Sequence, residues 1–289
     1  MNTGLTYRYL SQALVTLLLL MALAPTLAQT VLWYPSAEFT GDDRQTYPLK
    51  ILTLALSKGG GKFELKPCLH KMQQDRALRQ LALGLEINVL WTMTSKEREK
   101  DLLPIRIPID KGLLGWRIFL INTKNIANFE KLHTLDDLKN FQAVQGHDWP
   151  DTEILRANGL KVLGLPYYHS LFSLLQMGKV DYLPRSISEI WVEEKNHPEM
   201  DLTIEKNLIL HYPTALYFFV NKRDQELARL IESGLLAAIK DGSFEKAFVE
   251  SYGEDIKRTN FKGRKLFQLT NPLLPLETPL QDKKLWLSF

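Results

Sequence analysis

The sequence has a single cysteine, Cys68, in 289 residues. No internal disulfide can form, even in an oxidising compartment. Cys68 reads as a core residue at a strand end, with only His70 nearby in sequence. The histidines His70, His133, His147, His169, His197 and His211 are scattered, with no H-E-x-x-H and no cysteine pair, so the chain carries no metal motif. A G-x-S-x-G elbow is missing, and no pair of carboxylates is marked out for acid–base work. Gly59–Gly61 runs into Lys62 and Phe63, whereas a phosphate-binding loop needs Gly-Lys followed by Ser or Thr; a turn is the better reading. With a formal net charge of +3, nothing asks for nucleic acid. The basic stretch Lys257–Lys265 reads as a solvated loop. No motif supports an enzyme, and neither a cofactor nor a metal is expected.

A long uninterrupted apolar run is also lacking. After Arg8 comes the apolar stretch Ala13–Ala24, stopped by Pro25, whereas a spanning helix needs about 20 apolar residues. A weakly positive start, a short apolar core and small residues describe a secretory signal peptide over residues 1–28, cut after Ala28. No cysteine lies there to be acylated. The mature chain is therefore expected to be periplasmic, soluble and without a membrane anchor.

What is present suits an α/β protein. A composition of 45% hydrophobic and 24% charged residues allows a sizeable core. Val31–Pro35 reads as a first strand, Asp42–Ser57 as a helix, Lys62–Cys68 as a strand, Asp75–Gly84 as a helix and Ile87–Trp91 as a strand. That alternation predicts a parallel sheet flanked by helices. A polar stretch, Thr92–Asp101, follows the strand end, then an extended segment with two prolines. Trp116–Asn122 reads as a strand leaving one lobe. Leu135–Gly146 is a short helix feeding a buried strand, and Leu171–Asp181 a helix ending at Gly178 before another strand. Tyr217–Val220 reads as a second crossing strand. Helices are expected over Asp224–Ile239 and Ser243–Tyr252, and then a proline-rich tail wrapping the first lobe.

This order of elements resembles the bacterial solute-binding proteins called family 3, the type II periplasmic binding proteins. Leu135-Asp-Asp-Leu-Lys139 is similar to the family's D-D-L-K-G helix. Val144-Gln-Gly146 sits where the family has a V-x-x-G loop, and Gly178-Lys-Val-Asp181 where it has G-R-x-D. Ser95-Lys-Glu-Arg98 looks like its T-x-x-R, with Ser for Thr. The resemblance implies two α/β lobes, each a mostly parallel sheet, joined by two hinge crossings. Residues 29–121 with 213–289 would form the first lobe and 122–212 the second. It also implies a monomer that closes on a small-molecule ligand and presents the closed form to an inner-membrane transporter or receptor.

Site residues follow from the same likeness. The matching arginine holds the ligand's carboxylate in the family, a role implied for Arg98, whose fork suits two parallel hydrogen bonds. Trp91, Thr92 and Met93 occupy strand-end positions that line the family's cleft, and Tyr34 ends the first strand. Alternation leaves open whether Trp33 or Tyr34 faces the cleft. In the second lobe Gly146-His-Asp-Trp149 replaces the usual G-T-T-like loop, placing His147 and Trp149 at the ligand. The chain departs from the family after Asp181: an amine-pairing aspartate is replaced by Ser186, beside Arg185. That exchange implies a ligand with a carboxylate and no α-ammonium, with Arg185 meeting a second anionic or carbonyl group. The alternative is a signalling or assembly partner built on this fold with a degenerate cleft.

Overall fold

The computed structural model describes residues 30–37 and 42–288. The expected signal peptide lies outside the described residues. In chain order, β1 (Thr30–Tyr34), α1 (Thr46–Gly59), β2 (Phe63–Pro67), α2 (Gln74–Leu83), β3 (Val89–Met93), α3 (Lys96–Asp101) and β4 (Leu102–Ile105) come first. Then follow β5 (Trp116–Asn122), α4 (Ile126–Phe129), α5 (Leu135–Leu138), β6 (Gln142–Gly146), α6 (Pro150–Ala157), β7 (Lys161–Leu165), α7 (Tyr168–Gln176), β8 (Tyr182–Ser186), α8 (Ile190–Lys195), β9 (Leu202–Ile204) and β10 (Leu208–His211). The chain returns through β11 (Leu216–Asn221), α9 (Gln225–Lys240) and α10 (Ser243–Thr259) before a last strand, β12 (Lys265–Gln268).

Two lobes result, and their sheets are mixed. In the first lobe β1 and β2 are parallel, as the strand–helix–strand pattern predicts. β3, however, pairs antiparallel with β11, which also pairs antiparallel with β4. β1 is held to the start of β3 by Asn88, whose N–H donates to the Trp33 carbonyl and whose Oδ1 accepts from the Trp33 N–H, both at 2.8 Å. The second lobe is a seven-stranded sheet ordered β12-β10-β5-β8-β6-β7, with β9 on β5. Its β6–β7 and β6–β8 pairs are parallel, while β5 runs antiparallel to its neighbours.

Residues Ile118–Ile121 are fully buried, which only an interior strand can satisfy on both faces. This moves the lobe boundary. β5 belongs to the second-lobe sheet from Trp116, rather than to the first lobe up to residue 121, and β11 belongs wholly to the first. The crossings are the loops at 106–115 and 212–215.

The tail also differs from its expected course. It does not simply wrap the first lobe: Lys265–Gln268 extends the second-lobe sheet in register with Leu208–His211. Without β12 the N–H and C=O groups of β10 would face solvent. Thr270 then bonds Asn158 of the second lobe, while the Lys96 N–H of the first lobe donates to the Leu273 carbonyl (2.9 Å) and the Leu287 N–H to the Lys111 carbonyl (2.8 Å). The tail is thus a third strand of chain between the lobes.

The basic stretch at 257–265 is the end of α10 and the turn into β12. Arg264 sits there largely buried, donating to the carbonyls of Thr259, Glu205 and Leu208. Helix packing in the first lobe is close: a Cβ on Gly234 of α9 would lie 1.9 Å from the Ala55 carbonyl of α1. Among the described residues no helix is long and apolar enough to cross a membrane.

Candidate functional site

Between the lobes lies a cleft of about 470 Å³. The first-lobe wall comes from the end of β3 (Trp91, Thr92, Met93), from Gln74 at the start of α2 and from Asp42–Pro48. Asp42 does not start the helix, as its sequence suggested. It caps a short 3-10 turn over Asp43–Gln45, and its carboxylate takes a bidentate pair from Arg44 (2.7 Å each). Tyr34 is outside the lining and stacks obliquely on Trp91 at 5.8 Å. Trp91 also meets Phe218 edge-on, so its ring serves both the core and the cleft.

Arg98, expected to meet a ligand's carboxylate, is itself absent from the lining and lies behind this wall, bonded to Gln74, Thr92 and Met93. Ser95 caps α3, its hydroxyl accepting from the Arg98 N–H, and this turns the arginine back under β3. Nη1 donates to Thr92 Oγ1 (2.7 Å) and the Met93 carbonyl (2.8 Å), and Nη2 to Gln74 Oε1 and the Asp148 carbonyl (3.2 Å). Every one of these partners is a neutral oxygen. Burial lowers the arginine to about 10, against the opposing pull of Asp148, Asp151 and Asp75. The Asp148 contact crosses between lobes. It is joined by Gln73 Nε2 donating to the Pro166 carbonyl (2.7 Å) and by the Asp75 N–H reaching the Asp148 carboxylate (3.4 Å).

The second-lobe wall is built on the ends of β6 and β8. β6 stops at Gly146 because the Trp149 ring folds over it; a Cβ there would lie 2.5 Å from the indole. Trp149 precedes α6, with Pro150 in the first turn, and its ring lines the cleft. His147 does not line it. That residue faces solvent, and its N–H donates to the Leu165 carbonyl (3.0 Å), a contact with β7.

Arg185 also departs from its expected role of meeting a ligand. It is 2% exposed and absent from the lining. Its Nε and Nη2 bond Glu193 at 2.7–2.9 Å, Nη2 pairs with Glu189 at 2.9 Å, and its guanidinium lies 4.6 Å from the Trp149 ring. β8 is buried along its whole length, so an arginine there needs carboxylates close by, and α8 supplies them. Its pairing holds Arg185 well above the ordinary value despite burial. Ser186 is likewise turned inward, onto the Leu113 carbonyl and Ser188.

Sequence reasoning missed Arg117. It is 1% exposed, lines the cleft, pairs with Asp151 (2.5 Å) and Glu189 (3.4 Å), and its Nε has no partner. Asp151 also accepts from the Tyr212 hydroxyl. A lone arginine inside the apolar run Trp116–Ile121 was a signal, since such a charge demands partners. The missed acids include Asp43, Asp151, Glu189 and Asp255, all of which line the cleft. Among the described residues no group of three or more His, Cys, Asp or Glu is placed to hold a metal ion.

No family model matches the chain, and a search of curated proteins finds no match. Solved structures do share the fold. An ancestral arginine-binding protein bound to arginine superposes with a TM-score of 0.59 at 20% identity, over 78% of this chain and 99% of that one. A periplasmic binding protein from Salmonella typhimurium, described by its high arginine specificity, gives 0.59 at 14% identity over 78% and 100%. A histidine kinase sensor domain similar to periplasmic binding proteins gives 0.57 at 16% over 78% and 96%. The fold is therefore the two-lobed periplasmic-binding-protein fold that the motif order implied.

Proposed function

We propose that this protein is an exported binding protein that captures a small, carboxylate-bearing ligand in the interlobe cleft by hinge closure, for transport or sensing, and catalyses no reaction. The observation that carries this reading is Arg98: a buried cation behind the lining residues Gln74, Thr92 and Met93, whose hydrogen-bond partners are all neutral oxygens. Burying an ion with no carboxylate bonded to it is costly, and a carboxylate in reach of Nη2 would offset that cost. On ligand entry the carboxylate takes the place of Gln74 Oε1 and the Asp148 carbonyl. Trp91, Thr92, Met93 and Trp149 supply the walls. The neighbours described as arginine-binding, and the sensor domain, fit a role in transport or sensing.

The test is a thermal-shift screen against carboxylic acids with Arg98→Ala alongside. A ligand at about 100 times its dissociation constant stabilises by roughly 2.7 kcal/mol. A shift that disappears in Arg98→Ala supports the reading; a shift that survives moves the carboxylate seat elsewhere.

A second reading has its own observation. The Asp148 carbonyl and Gln74 already fill the Arg98 seat, and Gln73, Asp75 and Arg98 already tie the lobes together. A cleft satisfied by its own chain suits a signalling or assembly partner. Scattering from the ligand-free protein showing a compact form unchanged by every compound of the screen would favour it.

A further inference from the structure

The Tyr252 end of the cleft has a different chemistry from the Arg98 end. Tyr47 of α1 and Tyr252 of α10 both line it, with ring centroids 4.5 Å apart. Glu189, at the start of α8, and Asp255, one turn beyond Tyr252, line it too. Both carboxylates act on the Tyr252 hydroxyl, which burial and this negative surrounding hold as a neutral phenol. Asp255 is itself raised by burial, with Arg258 opposing (2.6 Å), so its charge is incompletely compensated.

The cations nearby are already matched. Arg117 lies between Asp151 and Glu189, Arg185 between Glu189 and Glu193, and Arg258 stacks 4.0 Å over Trp191 while pairing with Asp255. Counted with the Asp42–Arg44 pair that also lines the cleft, Asp42, Asp151, Glu189, Glu193 and Asp255 outnumber Arg44, Arg117, Arg185 and Arg258 by one. Asp43, on the facing first-lobe turn, adds a further carboxylate to the lining. An excess of negative charge beside two tyrosine rings attracts a cation both by charge and by the ring quadrupole. The Arg117 Nε, buried at the cleft and without a partner, asks in addition for an oxygen acceptor.

We propose that the Tyr252 end of the cleft is a cation subsite, formed by Glu189 and Asp255 with the rings of Tyr47 and Tyr252. The ligand is then a small acid whose positive group, an amine or guanidine, is remote from its carboxylate. This rests on the binding reading above. It also accounts for Ser186 in place of an amine-pairing aspartate: the cation is recognised at the far end of the ligand, by residues of α8 and α10, and not beside the carboxylate.

The experiment measures binding of matched probes by calorimetry: 5-aminopentanoate, pentanoate, glutarate and agmatine, with wild type and Asp255→Asn. Asp255 is half-buried on a helix end, so its amide variant should fold. In wild type 5-aminopentanoate should bind about tenfold or more tightly than pentanoate, an advantage largely lost in Asp255→Asn. Binding of agmatine alone would support the cation subsite while removing the carboxylate from the reading. Pentanoate or glutarate binding as tightly as 5-aminopentanoate would overturn the subsite and leave the binding protein standing. So would an advantage untouched by Asp255→Asn. Wild type binding none of the four, nor any compound of the wider screen, would remove both.

Discussion

The two walls of the cleft treat a buried arginine in opposite ways. On the first-lobe side Arg98 gives its terminal nitrogens to a hydroxyl, an amide oxygen and two backbone carbonyls, and burial lowers it to about 10. On the second-lobe side Arg117 and Arg185 lie among Asp151, Glu189 and Glu193, and both are raised above the ordinary value despite burial. The guanidinium is the same; the partner's charge decides its use. An arginine matched by carboxylates holds a wall together, whereas one held by neutral oxygens keeps an unmet demand for an anion.

That contrast can be broken by substitution. Arg117→Ala would strand Asp151 as a buried acid with only the Tyr212 hydroxyl left on it, Glu189 keeping Arg185, and should cost about 3–5 kcal/mol, read as a lowered denaturation midpoint at unchanged m. Arg98→Ala strands only neutral acceptors. It should cost less, roughly 1–3 kcal/mol, while abolishing the ligand-induced thermal shift. If Arg98→Ala proved the more destabilising of the two, the division between carboxylate-matched arginines and one held by neutral oxygens would fall. Gly146→Ala presses a methyl into the Trp149 indole and should cost about 1–3 kcal/mol, with a change in tryptophan fluorescence as the ring is displaced.

The smallest effect concerns the crossing loop. Asp110 is fully buried, accepting from the Gly112 N–H (3.1 Å) and the Leu114 N–H (2.7 Å), and burial raises it from 3.8 to about 6. A carboxyl whose folded value is raised stabilises most below its unfolded value, and that contribution is lost as pH rises through about 6. Asp110→Asn should remove this fall in stability, so its difference from wild type must change across that window. A difference that stays constant with pH would show that Asp110 does not titrate there.

Much of the architecture was legible because it depends on local pattern. Helices α1, α2, α9 and α10 announce themselves by apolar periodicity and by Gly60, Gly84 and the Asp241–Gly242 turn. The strand ends at Met93 and Gly146 were near where the motif order put them, and with them Trp91, Thr92 and Trp149. Less legible were β12, a short strand whose pairing with β10 has no local mark, and the lobe assignment of β5.

For the site the limit was orientation. Arg98 and Arg185 look alike as arginines near strand ends, yet one turns under a loop of neutral oxygens and the other onto α8. Arg117 needed Asp151 and Glu189, which no short-range pattern connects to it. The sequence by itself determined the element order, the two-lobed fold and the strand-end segments that reach the cleft, since periodicity, capping and turn chemistry act over a few residues. Only the tertiary structure decided which arginine is neutralised, where the acids gather and how the tail joins the lobes. Charge pairing and edge-strand pairing depend on groups brought within a few ångströms from distant parts of the chain.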